Sequence, residues 1–182
     1  QRFTLLPHQK QILDKLQVER EENNNYKNLV VAATGTGKTV ISAFDYLNFT
    51  RTHSRSRILF TAHREEILRQ SLNTYRSVLG DVNFGSLWVG NNRPQDENEF
   101  EHLFVSISML NSRFDDFFER LDADYYDYIN EYIVFCSLPN DELREYQLDD
   151  RMNGQNATYY SKHHIRKLPD AEITSICSTP FI

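Results

Sequence analysis

Apolar positions along this chain follow two rhythms that take turns. Short apolar runs read as buried strands: Asn28 to Val31, Arg57 to Thr61, Asn83 to Val89, Leu103 to Ile107, Tyr132 to Cys136 and Glu172 to Cys177. Between them lie stretches with helical spacing. Thr4 to Arg20 places Gln9, Ile12, Leu13 and Leu16 on one face, with Pro7 suited to its first turn. Thr39 to Leu47 aligns Val40, Phe44 and Leu47. Arg64 to Leu79 turns Ile67, Leu68, Leu72, Tyr75 and Leu79 inward, and Gly80 stops it. Met109 to Leu121 carries Leu110, Phe114, Phe117, Phe118 and Leu121, a stripe that reads as core rather than as a binding face. Two further helices are expected at Asp141 to Leu148 and Ala157 to Lys167, with a turn at Asn153-Gly154 between them. Polar loops fill Glu19 to Lys27, Thr50 to Ser56 and Gly90 to Glu99. Strands alternating with helices predict an α/β fold: a mainly parallel sheet with helices on both faces.

One junction in this pattern carries chemistry. Ala32-Ala33-Thr34-Gly35-Thr36-Gly37-Lys38-Thr39 matches the phosphate-binding loop G-x-x-x-x-G-K-[ST] except at its first glycine. That position ends the strand and need not touch phosphate. A strand before the loop and a helix after it supply the context the motif needs, which disfavours a chance Gly-Lys-Thr in a surface turn. Loop N–H groups and the positive end of the helix dipole would face a polyphosphate. Thr34, Gly35, Thr36 and Gly37 would cradle it, Lys38 would reach the terminal phosphates, and the Thr39 hydroxyl would ligate Mg²⁺.

Composition narrows the alternatives. The 182 residues suit one domain, with 40% hydrophobic and 25% charged residues as in an ordinary globular protein. No apolar run is long enough to span a membrane, and the N-terminus has no signal-peptide pattern. Cys136 and Cys177 read as reduced thiols of a cytoplasmic protein. The pair His163-His164 reads as surface histidine, because helix neighbours point in different directions. A net charge of −6, from 20 basic and 26 acidic residues, argues against a simple basic duplex-binding module. A motor that grips a strand locally remains compatible with that charge.

The order of elements and four motifs resemble the N-terminal RecA-like lobe of superfamily-two, DEAD/DEAH-like helicases, closest to the motor subunits of restriction enzymes. Leu5-Leu6-Pro7-His8-Gln9 looks like the upstream glutamine motif, which implies that Gln9 reads the adenine edge. Ala33 to Thr39 is similar to motif I. Phe60 to Leu68 resembles motif Ia, and Phe104 to Leu110 resembles the next strand-end motif. The resemblance implies backbone contacts to nucleic acid, DNA ahead of RNA, from Ala62, His63, Arg64, Ser106 and Ser108. It runs from Phe3 to about Ile129. It also implies ATP with Mg²⁺, and a second RecA-like lobe or other subunits as partners.

The sequence departs from that family toward its end. The resemblance calls for an Asp-Glu pair just after a buried strand, to hold Mg²⁺ and polarise the attacking water. Asn130-Glu131 comes early, with Asn in the Asp position. Asp141-Glu142 comes late and reads better as the acidic first turn of a helix capped by Asn140. Asp141 as metal ligand and Glu142 or Glu131 as the water-activating acid are therefore the weakest assignments. Thr174 to Pro180 is a degenerate version of motif III, and no later Arg stands in an arginine-finger motif. Residues 1–182 are expected to form a single lobe, degenerate after 129, and the chain to hydrolyse little ATP by itself. A fragment, a decayed copy and residues missing near 129–132 remain open. The competing functions are a non-hydrolysing nucleotide- or partner-binding module and an unrelated P-loop kinase or NTPase.

Overall fold

In a computed structural model of the chain, residues 3–26, 28, 30, 36–113, 121, 125–132, 147–148 and 165–166 are described. Helix α1 spans Pro7–Glu21 and α2 spans Lys38–Thr52. Strand β1 (Ile58–Ala62) leads into α3 (Glu65–Leu79) and β2 (Ser86–Trp88). A short 3₁₀ turn at Glu97–Phe100 precedes β3 (His102–Ser106) and α4 (Ile107–Ser112), and β4 is Tyr128–Tyr132. The sheet runs β2-β3-β1-β4, and every pairing in it is parallel. This is the α/β architecture expected, a parallel sheet with helices.

Alternation along the strands sorts the core into two layers. Ile58, Phe60, Ala62, Phe104 and Tyr128 point to one face, where Ala43, Tyr46 and Phe49 of α2 and Leu68, Leu72 and Tyr75 of α3 meet them. Leu59, Leu103, Val105 and the half-buried Ile129 point to the other, against Leu110 of α4, Trp88 and Phe100. The first layer is largely aromatic. Phe60 stacks on Phe104 at 5.0 Å between ring centroids, and Tyr75 meets both edge-on at 5.7 and 5.3 Å. Gly80 ends α3 in the left-handed conformation at φ 70°, as its position predicts.

Several expectations need correction. The strand placed at Tyr132 to Cys136 instead begins four residues earlier, at Tyr128; residues 133–136 lie outside the described set. Its inward face is polar-tipped, with Tyr128 and Asn130 bonded to α2, so it lacks the apolar run that marks a buried strand. Gln147-Leu148 and Ile165-Arg166, expected in helices, pair as the antiparallel strands β5 and β6. Two-residue strands are too short for either rhythm to register. On α2 the buried apolar positions are Ile41, Ala43, Tyr46 and Phe49, while Val40, Phe44 and Leu47 are only half-buried. This helix is contacted by both α1 and α3, which erases a single stripe. Leu29 and Val31 of the first strand, Phe114, Phe117 and Phe118, the turn at Asn153-Gly154, both cysteines, His163-His164 and the strand at Glu172 to Cys177 lie outside the described residues.

His102 starts β3 stacked on Phe84 at 4.5 Å, and its Nδ1 is buried without a hydrogen-bond partner. Burial lowers its pKa against the opposing pull of Glu101 and Asp81, with Arg57 adding to the fall. The unfolded histidine titrates near about 6.5 and so binds more protons than the folded one below that pH. Stability is therefore expected to hold above pH ~6.5 and to decline as pH falls toward the folded pKa. His102→Phe keeps the ring stack and should flatten that decline in urea titrations between about pH 5 and 7; an unchanged slope would count against the assignment.

Candidate nucleotide and nucleic-acid site

The site is built on the N-terminus of α2. Gly37 caps this 15-residue helix in the left-handed conformation, φ 79°, without a side-chain cap, and no acid stands in the first turn. Lys38 and Thr39 are its first two residues, both half-buried. An uncapped helix start with a cation and a hydroxyl fits a polyphosphate. Thr39 suits a Mg²⁺ ligand, a hard cation that takes oxygen donors. Among the described residues no cluster of three acids, histidines or cysteines could hold a metal. Ala32, Ala33, Thr34 and Gly35 lie outside the described residues, as do Asp141 and Glu142.

Helix α1 latches the loop in place. Gln9, buried in its first turn, donates from Nε2 to the Thr36 carbonyl at 3.1 Å. Its Oε1 accepts from the Leu6 N–H at 2.9 Å, closing half of a capping box. His8 Nε2 donates to the same Thr36 carbonyl at 3.2 Å. His8 and Gln9 thus meet Thr36 in space. The latch itself is a contact to main chain across 27 residues that no local pattern announces.

The strand ends form a second line. Ala62, Ser106 and Tyr132 are level across β1, β3 and β4. His63, Arg64 and Ser108 follow just beyond that edge and are exposed. Ser106 is buried and caps α4, accepting from the Met109 N–H at 3.2 Å, with Ser108 Oγ 3.3 Å from its own. Glu131 pairs with Thr61, one step before the sheet edge. Asn130 lies deeper and donates to Ser42 Oγ at 2.8 Å. The other end of α2 is far from Lys38. There a cavity of about 270 Å³ opens between α1 and α2, lined by Leu13, Tyr26, Phe49 and His53 among others.

A family described as "Type III restriction enzyme, res subunit" matches residues 2–135. A comparison with curated proteins found no match.

Gly37 leaves no room for a side chain. A Cβ there would run into Gln9 Nε2, and the positive φ is itself strained for other residues. Gly90, at φ 53°, has nothing within 4 Å of such a Cβ. Both Gly→Ala variants carry backbone strain of about 1–2 kcal/mol, but only Gly37→Ala also breaks the latch. Urea denaturation should find Gly37→Ala the more destabilised by about 1 kcal/mol, the worth of one hydrogen bond. Equal losses would mean that the Gln9 contact contributes nothing.

Proposed function

The chain belongs to the type III restriction enzyme res-subunit family, an ATP-dependent, helicase-like motor domain, and from that premise we propose that it is the ATP-binding lobe of a DNA helicase or translocase acting in the cytoplasm. The observation that carries this is the start of α2: Gly37 in the left-handed conformation, then Lys38 and Thr39 on an uncapped helix terminus. In this reading Thr34 to Gly37 wrap the phosphates and Lys38 neutralises charge on the terminal ones. Thr39 would help hold Mg²⁺, whose chemistry there would be to offset phosphate charge. Gln9 keeps one N–H and one lone pair beyond its latch contacts, which matches the N7 acceptor and N6 donor of adenine. His63, Arg64 and Ser108, with the Ala62 and Ser106 main chain, lie along one sheet edge and would hold a DNA backbone without reading bases. Residues 1–182 act as one lobe whose partners are DNA and a second RecA-like lobe or other subunits.

A second reading, a non-hydrolysing nucleotide-binding module, is favoured by one feature of β4. Asn130, the first residue of the early Asn130-Glu131 candidate pair, lies two residues below the sheet edge and is committed to Ser42, so it holds no metal. Both readings predict that the isolated chain binds Mg·ATP; the motor reading adds slow turnover and the module reading none. An arginine finger supplied by a second lobe is worth about 10³–10⁵ in rate. Calorimetry should show Mg·ATP binding that Lys38→Ala weakens by at least tenfold, about the loss of one charge-assisted hydrogen bond. No binding by the native chain would remove both readings. Robust turnover, abolished by Lys38→Ala, would overturn the proposal of an incomplete catalyst; turnover that appears once a second lobe is added selects the motor over the module.

The nucleic-acid edge has its own test. Arg64→Ala should weaken binding of single-stranded DNA equally across sequences and lower the slope of log affinity against log salt by about one. A sequence-dependent loss would assign Arg64 to base contacts, and no loss would take it off the DNA path.

A further inference from the structure

Three elements converge on one oxygen beneath the proposed phosphate site. Ser42 stands on α2 one turn after Lys38, so the two share a helix face. Its Oγ accepts the Asn130 side-chain N–H of β4 at 2.8 Å, and it is hydrogen-bonded to the Tyr75 hydroxyl of α3. Tyr75 is fully buried and Asn130 is 6% exposed, so neither has water as an alternative partner. A serine hydroxyl has one donor and two acceptor positions, enough to serve both neighbours at once.

We infer that Ser42 is a positioning junction that couples the nucleotide helix α2 to α3 and β4. Asp45 ties α2 to α1 and β4, but toward α3 the packing around Ser42 is aromatic and non-directional, as where Tyr46 meets Tyr75 at 5.9 Å. Such contacts tolerate a small rotation or slide of α2. Two hydrogen bonds to one hydroxyl do not, because geometry weakens them steeply off line. A rotation of α2 that re-aims Lys38 must break or drag the bonds to Asn130 and Tyr75. Tyr75 lies on the helix that begins directly after His63 and Arg64. The junction therefore links the phosphate end of α2 to the helix behind the proposed DNA edge, and to the strand whose end lies level with that edge. The inference rests on the nucleotide-binding reading given above for its functional consequence, but the junction itself does not need a ligand to exist.

Hydrogen exchange on the full chain separates the two. Ser42→Ala removes the hydroxyl, Tyr75→Phe removes only the second bond, and Ser42→Thr keeps the hydroxyl as the rescue. Without nucleotide, Ser42→Ala should speed amide exchange in both α2 and α3 by about tenfold, leave β2 and β3 unchanged, and be reversed by Ser42→Thr. A change confined to α2, or one spread evenly over the whole chain, overturns the junction. With the non-hydrolysable analogue Mg·AMPPNP, the native chain should gain protection in α2 and in α3. Tyr75→Phe should keep the α2 protection and lose that in α3. Protection of α3 that survives both Tyr75→Phe and Ser42→Ala also overturns the inference. Failure of the nucleotide reading is a different result: native and Lys38→Ala chains would both ignore the analogue, while the ligand-free comparison would still decide the junction.

Discussion

The buried charge of Asp45 sets the position of α2, and the rest of the site depends on where α2 lies. A carboxylate 2% exposed requires partners. It receives a two-pronged contact from Arg20 of α1 and a hydrogen bond of 2.7 Å from the Tyr128 hydroxyl of β4. Burial by itself would lower the Arg20 pKa; the bond to Asp45 and its charge outweigh that and raise it, so the guanidinium stays charged. Tyr128 is pushed well above its usual range, by burial first and by the neighbouring carboxylate second, so it remains a donor. Asp45 can thus be satisfied in one arrangement of α1, α2 and β4. A buried ion pair of this kind adds little net stability against an apolar substitute, but a half-made one is costly. That asymmetry selects the packing.

From that anchor the geometry propagates toward the ligand end. Asp45 and Ser42 are one turn apart on α2, and Tyr128 and Asn130 are two apart on β4, so helix and strand meet in two rungs on matching faces. With α2 held at both rungs, its first residues have a defined direction. Gln9 and His8, carried by the same helix that supplies Arg20, then fix the loop by its Thr36 carbonyl. Helix α1 therefore acts at both ends of α2, on the charge at Asp45 and on the loop before Lys38.

How much of this was legible in the sequence depends on how local each cause is. Helix α3 and its inward face were readable because one side packs and the other is wet, the condition under which a helical stripe is clean. The helix start after Gly37 was readable because the motif sets glycine, cation and hydroxyl in fixed order at such a start. The start of β4 lies four residues before the one expected, since its buried face carries Tyr128 and Asn130, whose polar tips are satisfied by side chains on α2. The apolar stretch that follows drew the assignment instead. The Arg20–Asp45 pair, the Ser42 contacts and the Thr36 latch span 25 residues or more, and no periodicity encodes a partner at that distance. A sequence signal did exist: Asp45 falls among Ile41, Ala43, Tyr46 and Phe49, and a charge among buried positions implies a partner elsewhere.

The same logic bears on the acidic motif that the family resemblance calls for. In a parallel sheet, ligands gather beyond the carboxyl ends of strands. Tyr132, the last described residue of β4, is level with Ala62 and Ser106, which marks the sheet edge on this strand. Asn130 is two residues too deep and already holds Ser42. Replacing it with Asp would not recreate a metal ligand, because at ~3.3 Å per residue the carboxylate would sit about 7 Å short of the edge. The departure at Asn130 is thus a commitment of that position to packing α2.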